Sequence, residues 1–141
     1  MKKNAKRSIE KVRVPAPVRL SLLWASLMSL YIYNDYLVMF TPGMIDEMSA
    51  GSLGPLGEAT DLTLLGVAVV MAIPASMIFL SSMLPSHASR WLNMLLGAIY
   101  TAIQALTLFG SPPFYQFIVS VEIIATLLII WTAARWPVSE S

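Results

Sequence analysis

The sequence predicts an all-α polytopic membrane protein, a bundle of four transmembrane helices with both termini in the cytoplasm. Three observations predict it. Of the 141 residues, 57% are hydrophobic and 12% charged, and the mean hydropathy of +0.70 lies far outside the soluble range. The apolar residues gather into four runs, at 20–40, 62–84, 91–109 and 114–136. Each is near the ~20 residues that a helix needs to cross a hydrocarbon core. The basic residues are segregated as well, since seven of the nine Lys and Arg fall between Lys2 and Arg19.

Residues 1–19 form a basic cytoplasmic arm. Residues 2–13 suit either a basic surface helix on anionic lipid headgroups, with Ile9, Val12 and Val14 facing lipid, or a disordered basic tail; Pro15 and Pro17 end it. The first run, 20–40, is too long for the apolar core of a signal peptide and stops at Thr41 and Pro42, so a retained helix is expected. Residues 41–61 make an external loop, in which Thr41 and Pro42 suit a helix start and Met44, Ile45 and Met48 an apolar face that covers the bundle. Pro74 inside the second run predicts a kink and a freed carbonyl near residue 70 facing a cavity. Pro85 and the pair Pro112 and Pro113 separate the later runs, and residues 137–141 are a cytoplasmic tail.

The orientation follows from the flanks. The arm, the second loop with Arg90, and the carboxy-terminal side with Arg135 carry every Lys and Arg, while the first and third loops carry none. The positive-inside rule puts the basic side in the cytoplasm, and a bacterial plasma membrane is the expected location. Trp24, Trp91, Trp131 and Trp136 are expected as an aromatic belt at that interface, with Tyr36, Phe40, Phe109, Phe114 and Tyr115 at the outer one.

Several functions are excluded early. There is no cysteine, which removes disulfides, thiolate nucleophiles and thiolate metal sites. The single histidine, His87, sits in the second loop and has no second His or Cys with which to build a transition-metal shell. No metal and no cofactor are expected. The basic arm reads as a membrane address, not a nucleic-acid footprint.

The informative residues are polar ones inside the runs. At ~1.5 Å per residue, Asp35 and Gln104 each lie about 7.5 Å inside the outer ends of their helices, and Glu122 about 12 Å. The three share one layer of the outer leaflet, joined by Asn34, Tyr33 and Tyr100 as a ligand- or proton-binding set. On the third run Asn93, Gly97, Thr101 and Gln104 recur at helical spacing, which predicts an inward polar face for helix packing, with Gly97 allowing close approach. On the fourth, Tyr115, Ile118, Glu122, Ala125 and Thr126 form the matching stripe.

An ionised carboxylate in hydrocarbon costs at least about 2.5 kcal/mol on insertion scales. No Lys, Arg or His shares the depth of Asp35 or Glu122, which leaves protonation, a shared proton, or a cation taken from outside. The leading expectation is therefore binding or transport of protons or a small cationic or polar ligand, by a homo-oligomer because four helices are few for a conduit. A membrane-embedded acid–base enzyme acting on a lipid-soluble substrate is the first alternative. A structural or interaction subunit without a ligand is the second, because neutral polar residues such as Gln104 and Asn93 also join helices by hydrogen bonds.

Over residues 20–136 the chain resembles an uncharacterised family of small four-helix bacterial inner-membrane proteins, a domain of unknown function. The resemblance rests on Tyr31-x-Tyr33-x-Asp35, Ile73-Pro74 followed by Leu80-Ser81, Arg90-Trp91-x-Asn93, Gln104, Gly110-x-Pro112, and Glu122-Ile123 with Trp131. It implies the same topology and brings no activity. Where members of that family commonly carry an acid before Ile-Pro, this chain has Ala72, which speaks against a third essential carboxylate. The layout is also similar to DoxX-like four-helix proteins, although nothing in the sequence supplies a redox centre.

Overall fold

The computed structural model describes residues 13–137. The basic arm as far as residue 12, with its surface-helix expectation, and residues 138–141 of the tail lie outside the described residues. Five α-helices follow one another: α1 Ala16–Val38, α2 Met44–Ser49, α3 Asp61–Met83, α4 Ser86–Thr107 and α5 Pro113–Ala134, with a 3-10 turn at Gly54–Leu56 between α2 and α3. The four long ones close a ring, α1 packing on α3 and α5, and α4 on α3 and α5. Among them α3 and α5 are long and apolar enough to cross a membrane. Helices α1 and α4 match them in length, at 23 and 22 residues, but Arg19, Asn34 and Asp35 dilute the first, and His87, Arg90 and Asn93 the second.

Proline sets the boundaries. Pro15 precedes α1 and Pro17 occupies its first turn, where a missing N–H costs nothing. The helix therefore begins four residues earlier than the apolar run does. At the other connection the expected loop of residues 85–90 shrinks to Leu84 and Pro85, because α4 already starts at Ser86. Leu84 is extended, as a residue before proline prefers to be. His87 and Arg90 consequently sit in the first turns of α4, and Arg90 Nη2 donates to the Ala134 carbonyl at 3.1 Å. Thr60 caps α3 by accepting from the Thr63 N–H at 3.2 Å.

The loop helix also differs from expectation. Gly43 takes the left-handed region at φ 83°, so the chain turns once more after Pro42 and α2 begins at Met44. Ile45 and Met48 are exposed, so α2 presents its apolar face outward and does not cover the bundle.

Inside, α1, α4 and α5 each contribute one stripe at steps of three and four. On α1 it is Leu20, Trp24, Leu27, Tyr31 and Asn34; on α4 it is Ser89, Asn93, Gly97, Tyr100 and Gln104; on α5 it is Val119, Glu122, Thr126, Ile129 and Ala133. This is the inward face expected of helices in a bundle. A side-chain carbon on Gly97 would lie 2.8 Å from Ile130 Cγ1, so the absence of one lets α4 and α5 approach closely. The outward apolar residues are many, α3 contributing Leu62, Leu65, Val69, Phe79 and Met83.

Trp24 does not belong to an interfacial belt. It is fully buried, meets Tyr100 edge-on with ring centroids 6.1 Å apart, and occupies the core. Trp91 and Trp131 are exposed, and Arg135 lies 3.9 Å above the Trp131 ring as a cation–π pair.

Candidate functional site

Polar side chains collect in two layers along the bundle. The first lies toward the α3–α4 turn and is centred on Asn93. Trp24 Nε1 donates to Asn93 Oδ1 at 2.6 Å, and Ser81 Oγ donates to the same oxygen at 3.1 Å. Asn93 Nδ2 in turn donates to the Ser89 carbonyl at 2.8 Å, and Ser89 Oγ to the Ser81 carbonyl at 2.8 Å. One amide thus ties α1, α3 and α4 together with its donor and acceptor capacity in use.

Between the layers, Pro74 removes one N–H from α3 and leaves the Val70 carbonyl without its helical partner. Tyr100 Oη donates to that carbonyl. The freed group near residue 70 therefore does not face a cavity, and Tyr100 is committed to repairing the backbone.

The second layer lies toward the opposite end and contains Glu122. Gln104 Nε2 donates to Tyr31 Oη at 2.6 Å, Thr126 Oγ1 is 3.3 Å from Gln104 Oε1, and Thr101 Oγ1 lies 2.7 Å from Thr126 Oγ1. Asn34 stands beside the Glu122 carboxyl across the α1–α5 contact. Glu122 is 2% exposed and Asn34 5%, yet Glu122 Oε1 and Asn34 Oδ1 are both buried without a hydrogen-bond partner among the described residues. The Asn34 side-chain amide lies within hydrogen-bonding reach of the carboxyl, but these two acceptor oxygens on facing helices stay unpaired. Each such group costs about 1–3 kcal/mol when left so.

Of the residues expected in this layer, Asn34, Gln104 and Glu122 come together. Tyr33 does not: it is 65% exposed. Asp35 is exposed as well, on the same turn as Asn34 but one residue, about 100°, further round the helix. Depth put these residues at one level; direction separates them, because the inward stripe of α1 passes through Tyr31 and Asn34. Asp35 remains within electrostatic reach of Glu122. Asn93 and Gly97 line the packing face, and half-buried Thr101 joins the Glu122 layer.

Tyr31 was missed as a member of the layer, as were Trp24, Ser81 and Ser89 around Asn93. The seven-residue repeat of the α1 stripe was the signal available for Tyr31 and Trp24. The two serines lie on either side of a turn whose length sequence alone does not fix. Among the described residues no group of three or more His, Cys, Asp and Glu side chains is placed to hold a metal ion.

These features define an all-helical protein with two apolar membrane-length helices and a buried, incompletely paired carboxyl. The sequence profile of a family of unknown function, DUF6326, matches residues 15–141, and the chain belongs to that family. No curated protein and no solved structure matches the chain.

Proposed function

We propose that this protein is a four-span membrane protein, amino and carboxy termini inside, that binds protons or a small cation at Glu122 from the outer side of a bacterial plasma membrane. The observation that carries the reading is the pair of buried acceptors, Glu122 Oε1 and Asn34 Oδ1, that no donor among the described residues satisfies. A site with surplus acceptors and no nearby cation is complementary to a ligand that brings positive charge and a donor. The nearest basic side chain along α5 is Arg135, thirteen residues away, or about 20 Å of helix.

Topology supports the same reading. Helices α1 and α4 have the length of α3 and α5 and alternate with them around the ring, and the described basic residues, Arg13, Arg19, Arg90 and Arg135, lie at the end that carries the α3–α4 turn. That end is cytoplasmic by charge; the amino-terminal arm adds anionic lipid as a partner there. Transport, as opposed to binding, calls for a homo-oligomer, for which the outward apolar faces of α3 offer surface. The enzyme alternative needs both acids in one cavity, and the exposure of Asp35 beside a buried Glu122 favours binding over it.

Reconstitution into proteoliposomes with a trapped pH dye tests the proposal. Acid pulses and sodium or methylammonium gradients should give protein-dependent uptake that Glu122→Gln abolishes. Uptake or binding unchanged in the variant would discard it.

A further inference from the structure

The two unpartnered oxygens also bear on which positive ligand fits, and the inference rests on the reading of Glu122 as a ligand site. The geometry points to a single proton: we infer that Glu122 and Asn34 form a carboxyl–amide pair in which the Glu122 carboxyl, when protonated, donates to Asn34 Oδ1 across the α1–α5 contact. Both residues are more than nine-tenths buried and each contributes one unpartnered acceptor atom. One hydrogen on Glu122 turns one acceptor into a donor and satisfies both atoms together.

A metal ion fits less well. Hard cations take six or more oxygens, and the other oxygens of the layer are already engaged: Gln104 Oε1 lies 3.3 Å from Thr126 Oγ1, and Tyr31 Oη accepts from Gln104 Nε2 at 2.6 Å. An ammonium group brings three donors to two free acceptors. The titratable groups around Glu122 are Tyr31 and Asp35 on α1; Tyr31 in turn faces Tyr100 on α4 and Tyr115 on α5, and none of these is a cation. Proton uptake takes the pair from one negative charge to none, which removes the cost of a buried ion.

Asp35 supplies the exchange route. It sits next to Asn34 in the chain, is exposed, and acts on Glu122 through space. The proton released by Glu122 passes to the Asp35 carboxylate or to water at that surface, and uptake reverses the path, with no bond other than O–H made or broken.

Infrared difference spectroscopy of the full-length protein in lipid nanodiscs, titrated with acid in H2O and D2O, tests this. Expected is a carboxylic-acid carbonyl band that grows on acidification, shifts in D2O, disappears in Glu122→Gln and moves to the frequency of a free acid in Asn34→Leu. Asn34→Ala serves if the leucine variant does not fold. Asp35→Asn should leave the band in place and slow its response to a pH jump at least tenfold. If the Glu122 carboxylate bands ignore pH but respond to sodium or methylammonium, the proton assignment falls while the binding site stands. If they respond to neither, both fall. A Glu122 acid band that is indifferent to Asn34 substitution overturns the pair.

Discussion

The Asn93 layer and the Glu122 layer are built from the same materials, amides and hydroxyls on the inward stripes of the same helices, and they differ in how completely those groups are paired. Around Asn93, Trp24 and Ser81 donate, Ser89 accepts, and three helices are joined. Around Glu122 the hydroxyl and amide chain of Tyr31, Gln104, Thr126 and Thr101 is paired, but Asn34 Oδ1 and Glu122 Oε1 are not. The difference teaches where stability and ligand chemistry reside. A closed network holds helices in register; an open one, kept open by two groups in contact, is a receptor for what completes it.

The sharpest way to break the comparison is at the hub. Asn93→Leu leaves the Trp24 N–H and the Ser81 hydroxyl without their acceptor, and should lower the unfolding free energy in detergent by about 2–4 kcal/mol. A smaller loss follows from Gly97→Val, which drives side-chain carbon into Ile130 and should cost about 1–3 kcal/mol by overpacking. Tyr100→Phe exposes the carbonyl freed by Pro74 and should cost about 1–2 kcal/mol without altering the response of the protein to pH. The smallest effect belongs to Asp35→Asn, which removes an exposed group and should leave stability within about 0.5 kcal/mol. Chemical unfolding of each variant, followed by tryptophan fluorescence, gives all four values.

Much of the fold is visible in the sequence because hydropathy and proline act locally. Proline and glycine punctuate the chain wherever a long helix ends, and the four apolar runs differ from the four long helices mainly at their ends: α1 starts at Ala16, because Pro17 is tolerated in a first turn, and α4 starts at Ser86, directly after Pro85 at its N-cap. Direction around a helix is less local. Asp35 stands out as an acid in an apolar run, but its neighbour Asn34 lies on the stripe with Leu20, Trp24, Leu27 and Tyr31, so the amide and not the acid faces Glu122. Trp24 shows the same limit: its place in the sequence suits an interface, and only the position of Asn93 on another helix explains why its N–H is buried. Spacing within α1 marks which residues share the inward stripe, but the groups they meet are decided by contacts between helices distant in the chain, which no spacing within one segment encodes.

The central claim is that Glu122 is held for a ligand and Asn93 for the fold. Parallel unfolding of the wild type, Asn93→Leu and Glu122→Gln in the same detergent tests it most directly. The new amide of Glu122→Gln supplies the donor that Asn34 Oδ1 lacks, so this variant should be as stable as the wild type or more so, while Asn93→Leu falls well below both. A Glu122→Gln protein destabilised as much as Asn93→Leu would contradict the account, for it would make Glu122 a structural residue like the other.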